Sequence, residues 1–338
     1  MSSTWSVRFL GVLLSLLLAA AVGCGGDDEE EPAAGDQAGQ QEEPTPVKLA
    51  YLAVASDAAM VLGDKQGFFD EEGIELQLEP VGAGGAAVIP ALLKGEYDVA
   101  SGGIDGPVLA AAKGIDVKIL ASEGAPVSKG HTHEAGTERG TSGIVVPADS
   151  DIRSFADLSG KRLAAITVSG LQYLCIAGTL EKAGVDPKSA KVLEVPPPEM
   201  LTALESGRVD AATVVEPFLT QAESQGDRNL GDPCIEAMPG AQQAGFYTSG
   251  KWAEENPELV AALGRALTRS NEYANEHPDE VRAVIPEYTE IPAKVAKEIT
   301  LTPWDTSGES TLDTVADQLV KYDLLEEKPD TGGLLTEG

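Results

Sequence analysis

The sequence predicts an α/β fold of two similar lobes, each a mainly parallel sheet flanked by helices. Two observations carry this. First, strand-like and helical segments alternate as β-α-β-α-β, and that five-element order occurs twice. Second, the pattern A-L-x-x-G-x-x-D-x-A lies near the end of both runs. It occurs at Ala91, Leu92, Gly95, Asp98 and Ala100, and again at Ala203, Leu204, Gly207, Asp210 and Ala212, each residue offset by 112. Alternating strands and helices make parallel sheets covered on both faces. Two copies at so long a period mean two lobes rather than a solenoid.

The first run begins at Val47, and residues 48–54 (KLAYLAV) have strand character. Residues 56–72 are mainly helical in pattern, with Ser56 or Asp57 at the N-cap. Gly63 and Gly67 are expected to break this stretch and Gly73 to stop it. Residues 74–81 alternate apolar and polar, as a half-buried strand does. A glycine turn at 82–85 leads into a helix over 86–94 that Gly95 stops, and 98–101 form a short strand. In the second run, 161–167 are a strand and 169–182 a helix stopped by Gly184. A strand at 191–195 follows, then a helix over 198–205 with proline in its first turn, and a strand at 210–215. Residues 143–146 are expected to cross to the second lobe and 242–247 to cross back. The helical patterns beyond Pro257 are expected to pack on the first lobe. The expected division is therefore 47–142 with 246–338 for lobe 1 and 143–245 for lobe 2.

Composition narrows the partners. The 338 residues carry a formal charge of −31, which repels nucleic-acid phosphates and anionic lipid heads; a nucleic-acid partner is excluded. After Arg8, residues 9–22 form an apolar run. It is shorter than the roughly 20 residues that span a bilayer and has the size of a signal-peptide core. Ala21-Val22-Gly23-Cys24 resembles the bacterial lipobox, in which the cysteine is lipidated and becomes the new N-terminus. A plain secretory signal cleaved near Gly23 is the alternative. Residues 1–23 are thus the expected signal peptide and 24–46 an acidic tether, too poor in apolar side chains to offset its ordering entropy. Cys175 and Cys234 either pair in an oxidising compartment or are two separate buried thiols.

Further motifs follow in a fixed order: Lys65-Gln66-Gly67-Phe68-Phe69, Glu72-Gly73-Ile74, and Leu92-Leu93-Lys94-Gly95-Glu96-Tyr97-Asp98. Then come Asp157-Leu158-Ser159-Gly160-Lys161, Ala203 through Ala212, and Glu216-Pro217-Phe218. Their order and spacing resemble the periplasmic-binding-protein-like (type II) family that serves sulfonate, taurine, nitrate and thiamine-precursor importers. The resemblance runs from Val47 to Ser270 and more loosely to the end. It implies a two-lobed fold with a hinged cleft, no catalysis, and an ABC permease and ATPase as partners. With the lipobox, it implies an extracytoplasmic, lipid-anchored monomer.

Ligands of such sheets sit at the carboxyl ends of strands, in the cleft between lobes. Four loops there offer backbone N–H groups and helix N-termini. They hold Ser56 and Asp57, Gly82, Gly84 and Gly85, Ser101 and Gly102, and Ser169 and Gly170. Each also has the composition of an ordinary capped turn. None contains Lys or Arg, so an anion would be held by N–H groups, hydroxyls and helix dipoles. Asp57, Asp105 and Glu216 lie near strand ends. Facing the cleft, they favour a cation or a ring bearing N–H donors. Otherwise Asp57 caps a helix, Asp105 faces solvent and Glu216 bonds the backbone at the Pro217 turn. Tyr173, one turn into its helix, and Phe246, in the return crossing, are candidate walls; Tyr51 and Phe218 are expected in the core. The charged, glycine-rich stretch 123–139 is expected to rim the cleft.

Catalytic motifs are lacking: there is no G-x-S-x-G elbow, P-loop or H-E-x-x-H. No cofactor and no metal are expected, and His131 and His133 fit a solvated loop better than a metal pair. The expected function is capture of a small organic molecule or anion for an ABC importer. A sensor or scaffold of the same fold is the alternative, and a secreted enzyme on this fold is the third.

Overall fold

The structure, a computed structural model, describes residues 43–124, 127, 140–301, 303–306 and 311–336. The expected signal peptide, the lipidated Cys24, most of the tether and the His131/His133 pair lie outside the described residues. Thr45 and Pro46, counted into the tether, instead open the first strand.

The chain begins with β1 (Thr45–Tyr51), a 3-10 turn (Ala55–Asp57), α1 (Ala58–Lys65), α2 (Phe68–Glu71) and β2 (Ile74–Pro80). It continues with α3 (Ile89–Lys94), β3 (Val99–Gly103), α4 (Asp105–Ala112) and β4 (Val117–Glu123). Next come β5 (Ser142–Val146), β6 (Arg162–Ala165), α5 (Leu171–Lys182), β7 (Lys191–Glu194), α6 (Met200–Glu205) and β8 (Ala211–Val215). Then follow α7 (Phe218–Gln225), β9 (Arg228–Asn229), α8 (Pro233–Ala237) and β10 (Ala244–Ser249). The remainder is α9 (Gly250–Glu255), α10 (Pro257–Glu276), α11 (Pro278–Tyr288), α12 (Ala293–Ala296) and α13 (Leu312–Lys321). Among the described residues no helix is long and apolar enough to cross a membrane.

These strands form two five-stranded sheets, ordered β2-β1-β3-β10-β4 and β7-β6-β8-β5-β9. The orders are equivalent position by position. In each sheet the fourth strand is antiparallel to both neighbours and comes from elsewhere in the chain: β10 pairs with β3 and β4, and β5 with β8 and β9. The two crossing segments are therefore themselves strands. The remaining strands run parallel, so their carboxyl ends open on one edge of each sheet.

The repeated sequence pattern has a physical cause. Gly95 and Gly207 end α3 and α6 with φ of 71° and 69°, a conformation that costs glycine no Cβ clash. The next N–H groups turn back to the helix: Glu96 to Ala91 O at 3.0 Å, and Arg208 to Ala203 O at 2.9 Å. The pattern's aspartates then lock the strand beside them. Asp98 accepts from the Lys48 backbone N–H at 2.9 Å and Asp210 from that of Arg162 at 2.8 Å. Their own N–H groups return to Lys48 O and Arg162 O. Asp210 also takes the Arg162 guanidinium at 3.0 and 2.6 Å.

Three features depart from expectation or settle an open choice. Gly63 does not break α1. A Cβ there would lie 1.8 Å from Ser270 Oγ, so the glycine serves the close approach of α10 to α1. The C-terminal helices do not pack on the first sheet alone: α12 contacts α7, and α13 contacts both α4 and α5. Cys175 on α5 and Cys234 on α8 are joined as a disulfide, with Cα atoms 4.5 Å apart.

Both aspartate clamps are testable. Each backbone hydrogen bond lost is worth about 1 kcal/mol, and Asp210 loses an ion pair as well, discounted for its exposure. In urea melts, Asp98→Ala and Asp210→Ala are both expected to destabilise, Asp210→Ala more. An unchanged midpoint in both would mean that the clamps are ornamental.

Candidate functional site

The carboxyl ends of the two sets of strands meet around a cavity of about 140 Å³. That volume is below the range that suits drug-sized ligands. From the first sheet it is lined by Leu52, Val54 and Ser56 after β1, Gly84 and Gly85 after β2, Gly102 and Gly103 at the end of β3, Asp105 at the start of α4, and Glu123 at the end of β4. From the second come Ile166 after β6, Leu171 and Gln172 at the start of α5, Val215 at the end of β8, Glu216 after it, and Asp232 and Ile235 before and in α8. Thr300, Leu301 and Trp304 from the C-terminal segment complete it.

Local chemistry fixes these loops. Gly102 has φ of 149°, and a Cβ there would fall 2.9 Å from Gly85 N. The glycines let the loops after β2 and β3 touch. Gln172 accepts from Ile166 N–H at 2.6 Å and donates to Thr213 O at 3.2 Å, tying the ends of β6 and β8. The Trp304 indole N–H donates to Ser56 O at 2.7 Å, leaving its ring as an apolar wall. The lobes are joined across the cleft by a backbone bond, Ala55 N–H to Glu216 O at 2.9 Å.

Carboxylates dominate the polar lining. Asp105 is 2% exposed; burial pushes it up to about 6, against hydrogen bonds from the backbone N–H groups of Leu171 and of Asp105 itself. Asp57 is wholly buried just behind the cavity and accepts the Ser101 hydroxyl at 2.6 Å. Burial pushes Asp57 up to about 6 as well, with Ser101 and the Val54 and Leu52 backbone groups opposing. Glu123, 2% exposed, accepts the Ser56 hydroxyl at 2.5 Å. Burial first, then the neighbouring charge of Asp57, raises it well above the usual range. Glu216 holds Thr220 through its backbone and hydroxyl and takes the Thr300 N–H at 3.2 Å. Asp232 caps α8 through the Cys234 and Ile235 N–H groups and takes that of Ser142. Among the described lining residues there is no Lys, Arg or His.

Of the residues singled out in the sequence, Ser56, Gly84, Gly85, Gly102, Asp105 and Glu216 line this cavity. Asp57 and Ser101 stand one layer behind it, bonded to each other. Asp57 makes no side-chain cap bond to α1, and Asp105 does not face solvent. Gly170 lies at the seam, where a Cβ would sit 2.6 Å from Asp105 Oδ2. Gly82 and Ser169 are exposed and outside the lining. Tyr173 is outside the lining; it packs half-buried against the cluster of Leu171, Leu174 and Cys175 and lies near Lys188. Phe246 is buried in the core, two residues deeper along β10 than the lining Ala244. Glu123, Gln172, Asp232, Thr300 and Trp304 were not singled out as ligand residues. Glu123 in particular ends a strand rather than opening a loose rim. The apolar run before it, Val117-Lys118-Ile119-Leu120-Ala121, was the available signal.

A two-lobed α/β fold with its site between the lobes defines the periplasmic-binding-protein class, and solved structures of that class superpose on this one. The alkanesulfonate-binding protein SsuA from Xanthomonas axonopodis pv. citri, bound to MOPS, matches with a TM-score of 0.71 and 19% identity over 87% of this chain and 99% of its own. The periplasmic nitrate-binding protein NrtA from Synechocystis PCC 6803 matches with a TM-score of 0.61 and 18% identity, over 75% of this chain and 69% of its own. The chain belongs to the NMT1/THI5-like family, whose model matches residues 55–281. A curated relative is the taurine-binding periplasmic protein of Escherichia coli K12, 25% identical over 240 residues, 71% of this chain and 69% of the relative.

The raised carboxyls make stability depend on pH. A carboxyl with a folded pKa of about 6 against an ordinary 3.8 favours the folded state when protonated. That contribution is complete below about pH 4 and is lost as pH rises through 6. Two units correspond to about 3 kcal/mol. The melting temperature is therefore expected to be higher at pH 5 than at pH 7.5. Asp105→Asn should raise it at pH 7.5 and narrow the difference. Calorimetry showing a lower melting temperature at pH 5 would contradict this.

Proposed function

We propose that this chain is an extracytoplasmic solute-binding protein. It closes on one small molecule between its lobes and presents it to the permease and ATPase of an ABC importer. The observation that supports this most is the cavity walled by strand ends of both sheets and bridged across the lobes. The named relatives bind taurine, alkanesulfonates and nitrate, which favours uptake over a sensing role. Closure is a population shift toward the form in which both lobes contact the ligand. The two crossings, β5 and β10, divide the chain into a first lobe that runs from Thr45 to just before Ser142 and resumes at Ala244, and a second lobe between them, so the expected bounds at 47, 143 and 246 each move by one or two residues. The protein binds without chemical conversion, as a monomer. A lipid on Cys24, beyond the 1–23 signal peptide, holds it at the membrane, with the acidic stretch as tether.

Screening the purified protein by thermal shift against alkanesulfonates, taurine, nitrate, pyrimidines and small amines is expected to give a saturable hit. The hit should return unchanged by mass spectrometry and reduce the radius of gyration in small-angle scattering. Conversion of the compound, or the same size in both states, would contradict the reading. The full chain is expected in the membrane fraction, and Cys24→Ser should release it; a Cys24→Ser chain that stays membrane-bound would refute the anchor.

A further inference from the structure

We infer that the site takes a small organic cation, a primary ammonium or amidinium with a compact apolar body, and not a sulfonate- or nitrate-type anion. This rests on the solute-binding reading and sharpens it.

The argument begins with where the backbone donors of the cleft go. An anion in such a cleft is held by N–H groups of the loops after the strands and by helix N-termini. Here the chain's own carboxylates hold those donors. The Leu52 and Val54 backbone groups after β1 face Asp57 and oppose the rise that burial causes in its pKa. The Gly102 backbone near the end of β3 does the same for Glu123. The N-terminus of α5, a 12-residue helix whose macrodipole favours negative charge, lies against Asp105 of the opposite lobe, whose Oδ2 is 2.6 Å from where a Cβ on Gly170 would sit. Across the cleft, Glu216 holds Thr220 and Thr300, and Asp232 holds Cys234 and Ile235. An incoming anion would compete with a resident carboxylate at each position, and like charges a few ångströms apart in a low-dielectric site repel strongly.

The second observation is independent of the first. Asp105 Oδ2 and Glu123 Oε2 are buried and have no hydrogen-bond partner among the described residues. Both residues line the cavity. A buried carboxylate oxygen without a donor is costly, and a ligand bearing N–H donors relieves that cost with charge-assisted hydrogen bonds. Leu52, Val54, Val215, Leu301 and the Trp304 ring supply the wall for its apolar part.

Charge also supplies a reason to close. Asp105 and Glu123 come from one lobe and Glu216 and Asp232 from the other, so closing an empty cleft brings like charges together. A cation between them interacts most favourably in the closed form, the differential contact that a population shift needs. The whole-chain charge of −31 steers cations toward the molecule and slows anions.

The test uses matched probes on the purified protein, followed by thermal shift and calorimetry. Propylammonium is set against propanesulfonate, benzylammonium and benzamidine against benzenesulfonate, and nitrate is tested alone. At about 100 times its dissociation constant, a cationic probe is expected to raise the melting temperature by roughly 5–10 °C. Glu123→Gln and Asp105→Asn are expected to weaken it at least about tenfold while melting cooperatively at or above the parent temperature, which shows that they fold. A sulfonate or nitrate that binds one-to-one, or a cation whose affinity Glu123→Gln leaves unchanged, overturns the inference. So does silence across all the cations. An anion hit removes only the cationic site and leaves the solute-binding reading standing; silence from every probe tells against both.

Discussion

A carboxylate buried without donors costs several kcal/mol, and four are buried around one small cavity: Asp57, Asp105, Glu123 and Glu216. Much of the local architecture answers to that constraint. Ser56 and Ser101 spend their hydroxyls on it. The backbone groups after β1 and near the end of β3 face it. The glycines after β2 and β3 let the backbone come close enough to matter, since a Cβ on Gly103 would collide with Asp105 Oδ1. What the donors do not cover, among the described residues, are the second oxygens of Asp57, Asp105 and Glu123. Those oxygens store a local instability that the fold tolerates because its core is elsewhere, in the helices packed on both sheets. Functional sites commonly trade stability in this way.

The larger fold exists to bring these groups together from distant parts of the chain. Asp105 and Glu123 belong to the first sheet's loops and Glu216 and Asp232 to the second's, while Thr300 and Trp304 arrive from beyond α12. Two antiparallel strands, β5 and β10, carry the chain between sheets and sit at the equivalent position in each. Because the covalent crossings are strands locked between neighbours, the strand-end loops of both sheets face a shared cleft. The bond from Ala55 N–H to Glu216 O and the approach of Asp105 Oδ2 to Gly170 tie the two sets of loops together.

The fold was legible because its causes are local and periodic. The A-L-x-x-G-x-x-D-x-A pattern records a helix end, a left-handed glycine and an aspartate clamp, each set by near neighbours in sequence or by one adjacent strand. A place in the cavity lining was legible where a residue sits at or just after the end of a recognisable strand, as Ser56, Gly84, Gly102 and Glu216 do. Asp105 stood out as an acid near a strand end, but its burial depends on α5 arriving from the other lobe, which no local pattern encodes. Glu123 was hidden by the charged stretch that follows it, and Trp304 by its distance from any strand. Tyr173 and Phe246 misled for the same reason. Being one turn into a helix or on a crossing strand does not say which neighbour claims that face, and packing decided it.

The most direct measurement is a crystal structure of the protein with whichever small molecule binds it most tightly. The account expects a ligand nitrogen within about 2.7–2.9 Å of Asp105 Oδ2 or Glu123 Oε2, with the lobes closed and the Leu171–Asp105 contact intact. An anionic group of the ligand seated on the Leu171 N–H, with the Asp105 carboxylate displaced from the N-terminus of α5, would contradict it.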